Sequence, residues 1–162
     1  MQIGNNEMKN KFWLTAVFAF LILFSFNALS HARLSDKSDV TPRGPAMKDS
    51  PCGENARTSN PKILNAGSQI TIRWIETVEH TGFYWIEFSK ANDKGWVRLK
   101  TIIDTQNDLA TLPHSFEETI TVPNTNCSNC TLRVVQEMID GHPELPTYYY
   151  SCGDIKIVNA KC

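Results

Sequence analysis

The sequence predicts an all-β fold: a β-sandwich of the immunoglobulin or fibronectin III type with a long N-terminal loop region. From residue 69 onward, short runs of alternating apolar and polar residues recur, and turn-forming residues separate them. Beyond the first thirty residues, no stretch combines the apolar stripe and the capping residues of an amphipathic helix. A sandwich lets each of these short strands bury one face.

The strands follow in chain order. Residues 69–76 (QITIRWIE) alternate apolar and polar side chains, as a half-buried strand does. Residues 83–88 (FYWIEF) are aromatic and β-branched, and the turn residues at 92–95 (NDKG) lead into the next strand. The remaining predicted strands are residues 96–103, 118–122, 131–138 and 147–158. Residues 35–68, rich in Pro, Gly, Ser, Asn and Asp, are predicted to be a loop region packed against one end or face of the sandwich.

Residues 1–30 have the organisation of a secretory signal peptide. Lys9 and Lys11 precede a mostly apolar stretch at 12–26, and the small residues Ala28 and Ser30 come just before the expected cleavage position, which follows Ser30. We therefore expect one mature domain, residues 31–162, that starts at His31 and is secreted or periplasmic. After cleavage, nothing in the sequence predicts a membrane anchor.

Charge and cysteine content narrow the class of protein. With 16 Lys+Arg against 17 Asp+Glu, the net charge is −1 and no basic stripe indicates nucleic-acid binding. All five cysteines lie in the exported part, where disulfides form. Four are disulfide candidates whose pairing the sequence leaves open: Cys52, Cys127, Cys130 and Cys152. The C-x-x-C spacing at 127–130 lacks the second close ligand pair of a zinc site and the βαβ context of a redox site, which favours a structural disulfide.

A mature chain that begins with histidine has a metal chelate at its terminus. The α-amine of His31 loses its proton near neutral pH, and its ring offers a second nitrogen. One further imidazole would complete a three-nitrogen site of the kind that suits copper. His80 is the best placed candidate, because it lies between two predicted strands and immediately before the aromatic strand. His114 and His142 are instead predicted to be solvated loop residues.

Several segments, in this order, resemble the lytic polysaccharide monooxygenases and their chitin-binding type-4 relatives, and most closely a group of small bacterial polysaccharide monooxygenase-like proteins. The N-terminal part of the resemblance consists of residues 31–34 (HARL), 42–43 (PR) and 51–53 (PCG). The central part consists of residues 70–74 (ITIRW) and 77–88 (TVEHTGFYWIEF). The C-terminal part consists of residues 130–136 (CTLRVVQ) and 148–155 (YYYSCGDI).

The resemblance implies a histidine brace that holds one copper ion. The His31 amine and ring and the His80 ring would be the nitrogen ligands, and Tyr149 would approach the axial position. Gln136 would be the group beside the metal that positions an oxygen species, with Glu137 as the weaker alternative, since a one-residue change of register exchanges the two. Tyr148 and Tyr150 are expected to serve ordinary strand packing.

The implied activity is oxidative cleavage of glycosidic bonds in a polysaccharide such as chitin or cellulose, by a monomer that takes electrons from an external donor. Two departures from the resemblance leave alternatives open: the segment between Pro51 and Asn65 is too short for a large substrate-binding loop, and it lacks a cluster of aromatic residues. The alternatives are a non-catalytic histidine-brace protein for copper capture or trafficking, a metal-independent carbohydrate-binding module, and a secreted sandwich whose histidines are incidental.

Overall fold

The computed structural model describes residues 31–106, 109–139 and 142–159, so the predicted signal peptide and Cys162 lie outside the described residues. Two facing β-sheets confirm the prediction of an all-β sandwich. Within the described ranges, helical structure is confined to one 3-10 turn, Leu109–Thr111, and no helix is long and apolar enough to cross a membrane. The same residues form nine strands: β1 (Ala32–Leu34), β2 (Thr41–Pro42), β3 (Lys62–Asn65), β4 (Gln69–Glu76), β5 (Gly82–Ser89), β6 (Val97–Ile103), β7 (His114–Thr121), β8 (Cys127–Met138) and β9 (Thr147–Val158).

The smaller sheet has the strand order β1-β4-β7, and the larger has the order β2-β9-β8-β5-β6. Strand β3 joins the larger sheet by pairing in parallel with β9, whereas the other pairings are antiparallel. The prediction that residues 35–68 are loop throughout was therefore wrong in part, because they contain β2 and β3. These strands of two and four residues are too short to show an alternating pattern in the sequence.

Strands β4 and β9 have the predicted bounds, but β7 and β8 begin earlier than predicted. Strand β7 starts at His114 rather than at residue 118, and β8 starts at Cys127 rather than at residue 131. In β7, the positions that face the other sheet hold His114, Phe116 and Glu118 before Ile120. Polar residues at inward positions hide the apolar alternation on which strand prediction depends.

Aromatic side chains from both sheets form the centre of the core. Trp74 and Tyr84 are fully buried, and the Phe116 ring stacks on the Trp74 ring with centroids 5.3 Å apart. The Tyr84 ring lies tilted against both, at 5.3 Å from Trp74 and 4.8 Å from Phe116. Offset and tilted ring pairs of this kind add to the stabilisation that apolar burial provides.

Two disulfides close the four candidate cysteines into pairs: Cys52 with Cys152, and Cys127 with Cys130. The first joins the loop after β2 to the middle of β9 across a sequence separation of 100 residues. The second closes a short segment at the start of β8, with a separation of 3 residues. A C-x-x-C pair bonded in this way is consistent with the structural disulfide that the sequence favoured.

Removing the long-range disulfide should cost far more stability than removing the local one. We expect Cys52→Ala combined with Cys152→Ala to lower the free energy of unfolding by about 2–5 kcal/mol, because a cross-link over a long loop restricts the unfolded chain most. Urea denaturation followed by circular dichroism measures the change. The matched control, Cys127→Ala with Cys130→Ala, should lose less, and an equal loss in both double variants would contradict the expectation.

Candidate metal centre

Three side chains that the sequence singled out meet at one end of the sandwich. The His31 and His80 rings are nearly parallel, with centroids 4.9 Å apart and an interplanar angle of 13°. The Tyr149 ring also stacks on the His31 ring, with centroids 3.9 Å apart and an interplanar angle of 18°. His31, His80 and Tyr149 come from distant parts of the chain, and all three are half-buried.

Strand β1 holds His31 against both sheets. Ala32 pairs with Glu76 in β4, and the Thr77 backbone N–H donates to the His31 carbonyl at 2.8 Å. The Leu34 N–H donates to the buried Ser151 Oγ of β9 at 2.9 Å. Because β9 also carries Tyr149, this bond ties the strand that follows His31 to the strand of the stacked tyrosine.

His80 is placed by the connection between β4 and β5, which a glycine brings close to β8. A Cβ atom at Gly82 would lie 1.8 Å from the Glu137 carbonyl oxygen, so no larger residue fits there. The backbone on both sides of Gly82 is tied down, since Ile139 N–H donates to the Thr81 carbonyl at 2.9 Å and Asp104 N–H donates to the Gly82 carbonyl at 3.1 Å. His80 therefore lies next to the fixed start of β5 rather than in a loose loop.

Strand register separates Tyr149 from its two tyrosine neighbours. Tyr149 pairs with Gln136, and its ring contacts His31. Tyr148 and Tyr150 point to the opposite face of the larger sheet, where Tyr148 packs against Trp85 at 5.6 Å between centroids. Lys48, from the loop after β2, extends its ammonium to 5.3 Å from the Tyr149 ring.

The same register distinguishes Gln136 from Glu137. Gln136 is 2% exposed and lies on the inner face beside its cross-strand neighbour Tyr149. Glu137 lies on the outer face, where its Oε1 accepts a hydrogen bond from the Tyr148 hydroxyl at 3.2 Å. Of the two residues, only Gln136 is on the same face as the ring stack.

Behind the rings lies a buried polar cluster that the sequence did not reveal. Glu76, fully buried at the end of β4, contacts His114 Nδ1 through Oε2 at 3.0 Å and accepts from Gln136 Nε2 through Oε1 at 2.8 Å. His114 Nε2 lies 3.0 Å from the Thr111 hydroxyl. The prediction that His114 is a solvated loop residue was wrong: it is 3% exposed, since it is the first inward residue of β7.

His142, by contrast, lies in an exposed connection as predicted, with its side chain 76% accessible to solvent and Nδ1 at 3.4 Å from Glu144.

The alternation of apolar and polar residues in β4 does contain a signal for the burial of Glu76. It is the fourth inward position after Ile70, Ile72 and Trp74, which predicts that its carboxyl group is buried.

Burial raises the pKa of Glu76 above its ordinary value, although the hydrogen bond with His114 opposes this shift. Burial also raises the pKa of Asp104, whose backbone follows β6, and that of the Tyr84 hydroxyl beside it. Two carboxyl groups with raised pKa values therefore lie close to one phenol and one imidazole. Such clusters of perturbed groups occur both in functional sites and in structural networks.

Among the residues that the structure describes, two groups have side chains that could hold a metal ion. Ligand atoms of Glu76, Glu79 and His114 all lie within 4.8 Å of one another, but His114 Nδ1 is already within hydrogen-bond distance of Glu76. The His31–His80 pair offers two half-buried imidazoles, and a chain cleaved before His31 would add a primary amine. Three nitrogen donors suit copper, whereas a set rich in carboxylates suits harder ions. The donor chemistry at His31 and His80 thus fits one copper ion.

Comparisons with known proteins support the fold but not a sequence family. No protein-family model matches the chain, and no curated protein matches it in sequence. A solved structure of a cellulose-active polysaccharide monooxygenase from M. thermophila is similar at a TM-score of 0.53 and 14% identity, over 83% of this chain and 79% of that one.

Two further solved structures are similar at lower TM-scores. One is a cellulose-active LPMO in complex with copper, at a TM-score of 0.44 and 14% identity, over 66% of this chain and 56% of that one. The other is a glycoside hydrolase family 61 member from Hypocrea jecorina, at a TM-score of 0.45 and 16% identity, over 92% of this chain and 75% of that one. On the strength of the match to the M. thermophila enzyme, the chain has the β-sandwich fold of the lytic polysaccharide monooxygenases.

Proposed function

We propose that this chain is a secreted or periplasmic copper-dependent monooxygenase that oxidatively cleaves glycosidic bonds in a polysaccharide. The observation that carries the proposal is the meeting of His31, His80 and Tyr149 at one end of a sandwich with the fold of lytic polysaccharide monooxygenases. Cleavage of a signal peptide before His31 is part of the proposal, since only a free terminus supplies the amine nitrogen.

Each residue of the site has one task in this proposal. The amine and ring of His31 and the ring of His80 would hold the copper ion, and Tyr149, whose ring stacks on that of His31, would cover the site from one side. When bound, copper supplies one-electron redox chemistry and reaction with oxygen or peroxide, with electrons from an external donor. Gln136 lies buried beside Tyr149 and offers the carboxamide that positions the oxygen species.

In this proposal the substrate is an extended polysaccharide rather than a small molecule. The exposed Leu145 and His142 come from the β8–β9 connection, and Lys48 comes from the loop after β2. Of these, Lys48 lies beside the ring stack, with its ammonium group 5.3 Å from the Tyr149 ring. Because the M. thermophila structure is described as cellulose-active, cellulose is the first polysaccharide to test, followed by chitin.

The test is a copper titration of the exported, processed protein followed by a product assay. Mass spectrometry of the mature N-terminus should show a chain that begins at His31, and calorimetry should show one Cu(II) ion bound per chain. Incubation with cellulose or chitin and a reductant should then release oxidised oligosaccharides. A mature N-terminus at any other residue would overturn the brace.

The same experiment separates the rival functions. Tight copper binding without oxidised products on any polysaccharide would favour copper capture or trafficking. Binding to polysaccharide without copper affinity would favour a carbohydrate-binding module. If neither copper nor polysaccharide binds, the histidines are incidental to a secreted sandwich.

A further inference from the structure

The Gln136 carboxamide is held in a defined orientation by groups behind it. Its Nε2 donates to Glu76 Oε1 at 2.8 Å and approaches the Tyr84 hydroxyl at 3.3 Å. Its Oε1 is buried and makes no hydrogen bond within the described residues. A buried amide oxygen without a partner is costly unless a ligand or water completes it, which marks it as a candidate functional atom.

Glu76 is in turn fixed by His114. His114 Nδ1 lies 3.0 Å from Glu76 Oε2, and the Thr111 hydroxyl lies 3.0 Å from His114 Nε2. The pattern assigns the ring a tautomer in which Nδ1–H donates to Glu76 and Nε2 accepts from Thr111. Glu76 Oε2 then accepts from His114 and Oε1 accepts from Gln136, while Tyr84 and Asp104 are further hydrogen-bond partners of the same carboxyl group. The exposed turn at Thr111 is thus linked to Gln136 through two buried side chains.

We propose that Glu76, held by His114, is a positioning residue that makes Gln136 present its carbonyl oxygen, and not its NH2 group, to the His31–Tyr149 end of the sandwich. This inference rests on the proposed function for the identity of the ligand there. As an acceptor Glu76 holds Nε2, so Oε1 is left for a hydrogen-bond donor at the site. That donor would be a water, a peroxide or a substrate hydroxyl.

The protonation state of Glu76 would then control whether Gln136 presents its carbonyl oxygen or its NH2 group. An ionised Glu76 accepts a hydrogen bond from Gln136 Nε2. A protonated Glu76 can instead donate to Gln136 Oε1, which allows the carboxamide to flip. Several ionisable groups face Glu76: His114 from β7, Tyr84 from β5, Asp104 after β6, and Glu79 from the connection after β4, which lies 3.7 Å from His114 Nδ1. The amide resonances of Gln136 should therefore report the ionisation of this cluster.

The orientation can be measured on metal-free protein by NMR of the Gln136 side-chain NH2 group. In Glu76→Leu, hydrogen exchange of that group should accelerate about 10-fold, the equivalent of one lost hydrogen bond. In Glu76→Gln, which keeps the shape and an acceptor oxygen, slow exchange should return, but the pH-dependent shift of the Gln136 resonances should disappear. Unchanged exchange in Glu76→Leu, or an unchanged pH-dependent shift in Glu76→Gln, would overturn the proposal.

If Glu76→Leu does not fold, the measurements on Glu76→Gln decide alone. The matched control is Glu117→Gln on the exposed face of β7, which should leave both readouts unchanged.

Cu(II) titration of the same variants keeps the two proposals distinct. Failure of the wild type to bind copper would remove the proposed function, while the NMR arms would still test the positioning role. In copper-loaded protein, Glu76→Leu and Gln136→Ala should alter the EPR spectrum alike, and a change in Gln136→Ala alone would also overturn the proposal.

Discussion

Replacing His80 by alanine should reduce the Cu(II) affinity of the mature protein by more than about 100-fold. The chain would lose the one imidazole that the structure places beside His31, at 4.9 Å between ring centroids. Loss of a residue that only orients a metal ligand already costs 10–100-fold in affinity, so loss of a ligand should exceed that range. Competition titration with a chelator of known affinity measures the change.

His142→Ala is the matched control, because its side chain is 76% exposed in the β8–β9 connection and its ring contacts Glu144 rather than the ring stack. Copper affinity should be unchanged in this variant. A second variant, with one alanine inserted before His31 in the mature chain, removes the terminal amine from the histidine and should reduce affinity as strongly as His80→Ala. Full affinity in either the His80 variant or the extended variant would refute the brace.

The sequence was sufficient to single out the three residues that form the ring stack, because each carries a local mark, although it did not predict that their rings stack. His31 follows an apparent cleavage position, His80 lies between two clear strands, and Tyr149 lies in a long strand whose bounds were predicted correctly. The choice between Gln136 and Glu137, in contrast, needed the pairing of β8 with β9, because a shift of one residue exchanges the faces. Register is a property of two strands and cannot be read from one.

The buried polar cluster shows why the other contacts of the site could not be predicted from the sequence. His114 follows a proline and precedes polar residues, so local sequence predicts a loop, yet pairing with Glu76 makes it the first inward residue of β7. The Glu76–His114 bond joins positions 38 residues apart, and the Glu76–Gln136 bond joins positions 60 apart. Contacts of that separation depend on the topology of the sheets and leave no mark in a local pattern.

Replacing Arg43 by methionine should lower the free energy of unfolding by about 3–5 kcal/mol, the usual cost of removing one partner from a buried ion pair. The Arg43 guanidinium is 2% exposed and contacts Asp93 at 2.8 Å and Asp154 at 2.7 Å. Asp154 is 1% exposed, and among the described residues its carboxylate would keep Arg57, at 2.8 Å, as its one charged partner. Methionine preserves most of the volume, which confines the loss to charge and hydrogen bonds. Urea denaturation at neutral pH measures it.

The acid side of the stability curve provides an independent check of the same ion pairs. Burial alone would raise the pKa of Asp93, but its hydrogen bonds with Arg43 and Thr131 outweigh that effect and hold the pKa below its usual value. A carboxyl group with a lowered pKa in the folded state stabilises the protein above its unfolded pKa, and this contribution disappears as pH falls through the folded pKa. Without Arg43, the pKa of Asp93 should rise, so acid unfolding followed by circular dichroism should begin at higher pH in the variant.

The matched control is Arg73→Met, which removes the exposed ion pair with Glu117 and should lower the free energy of unfolding by no more than about 1 kcal/mol. If the Arg43 and Arg73 variants lose similar free energies of unfolding, burial does not strengthen the contribution of the Arg43 ion pairs. If the acid transition does not shift, Arg43 does not keep Asp93 ionised.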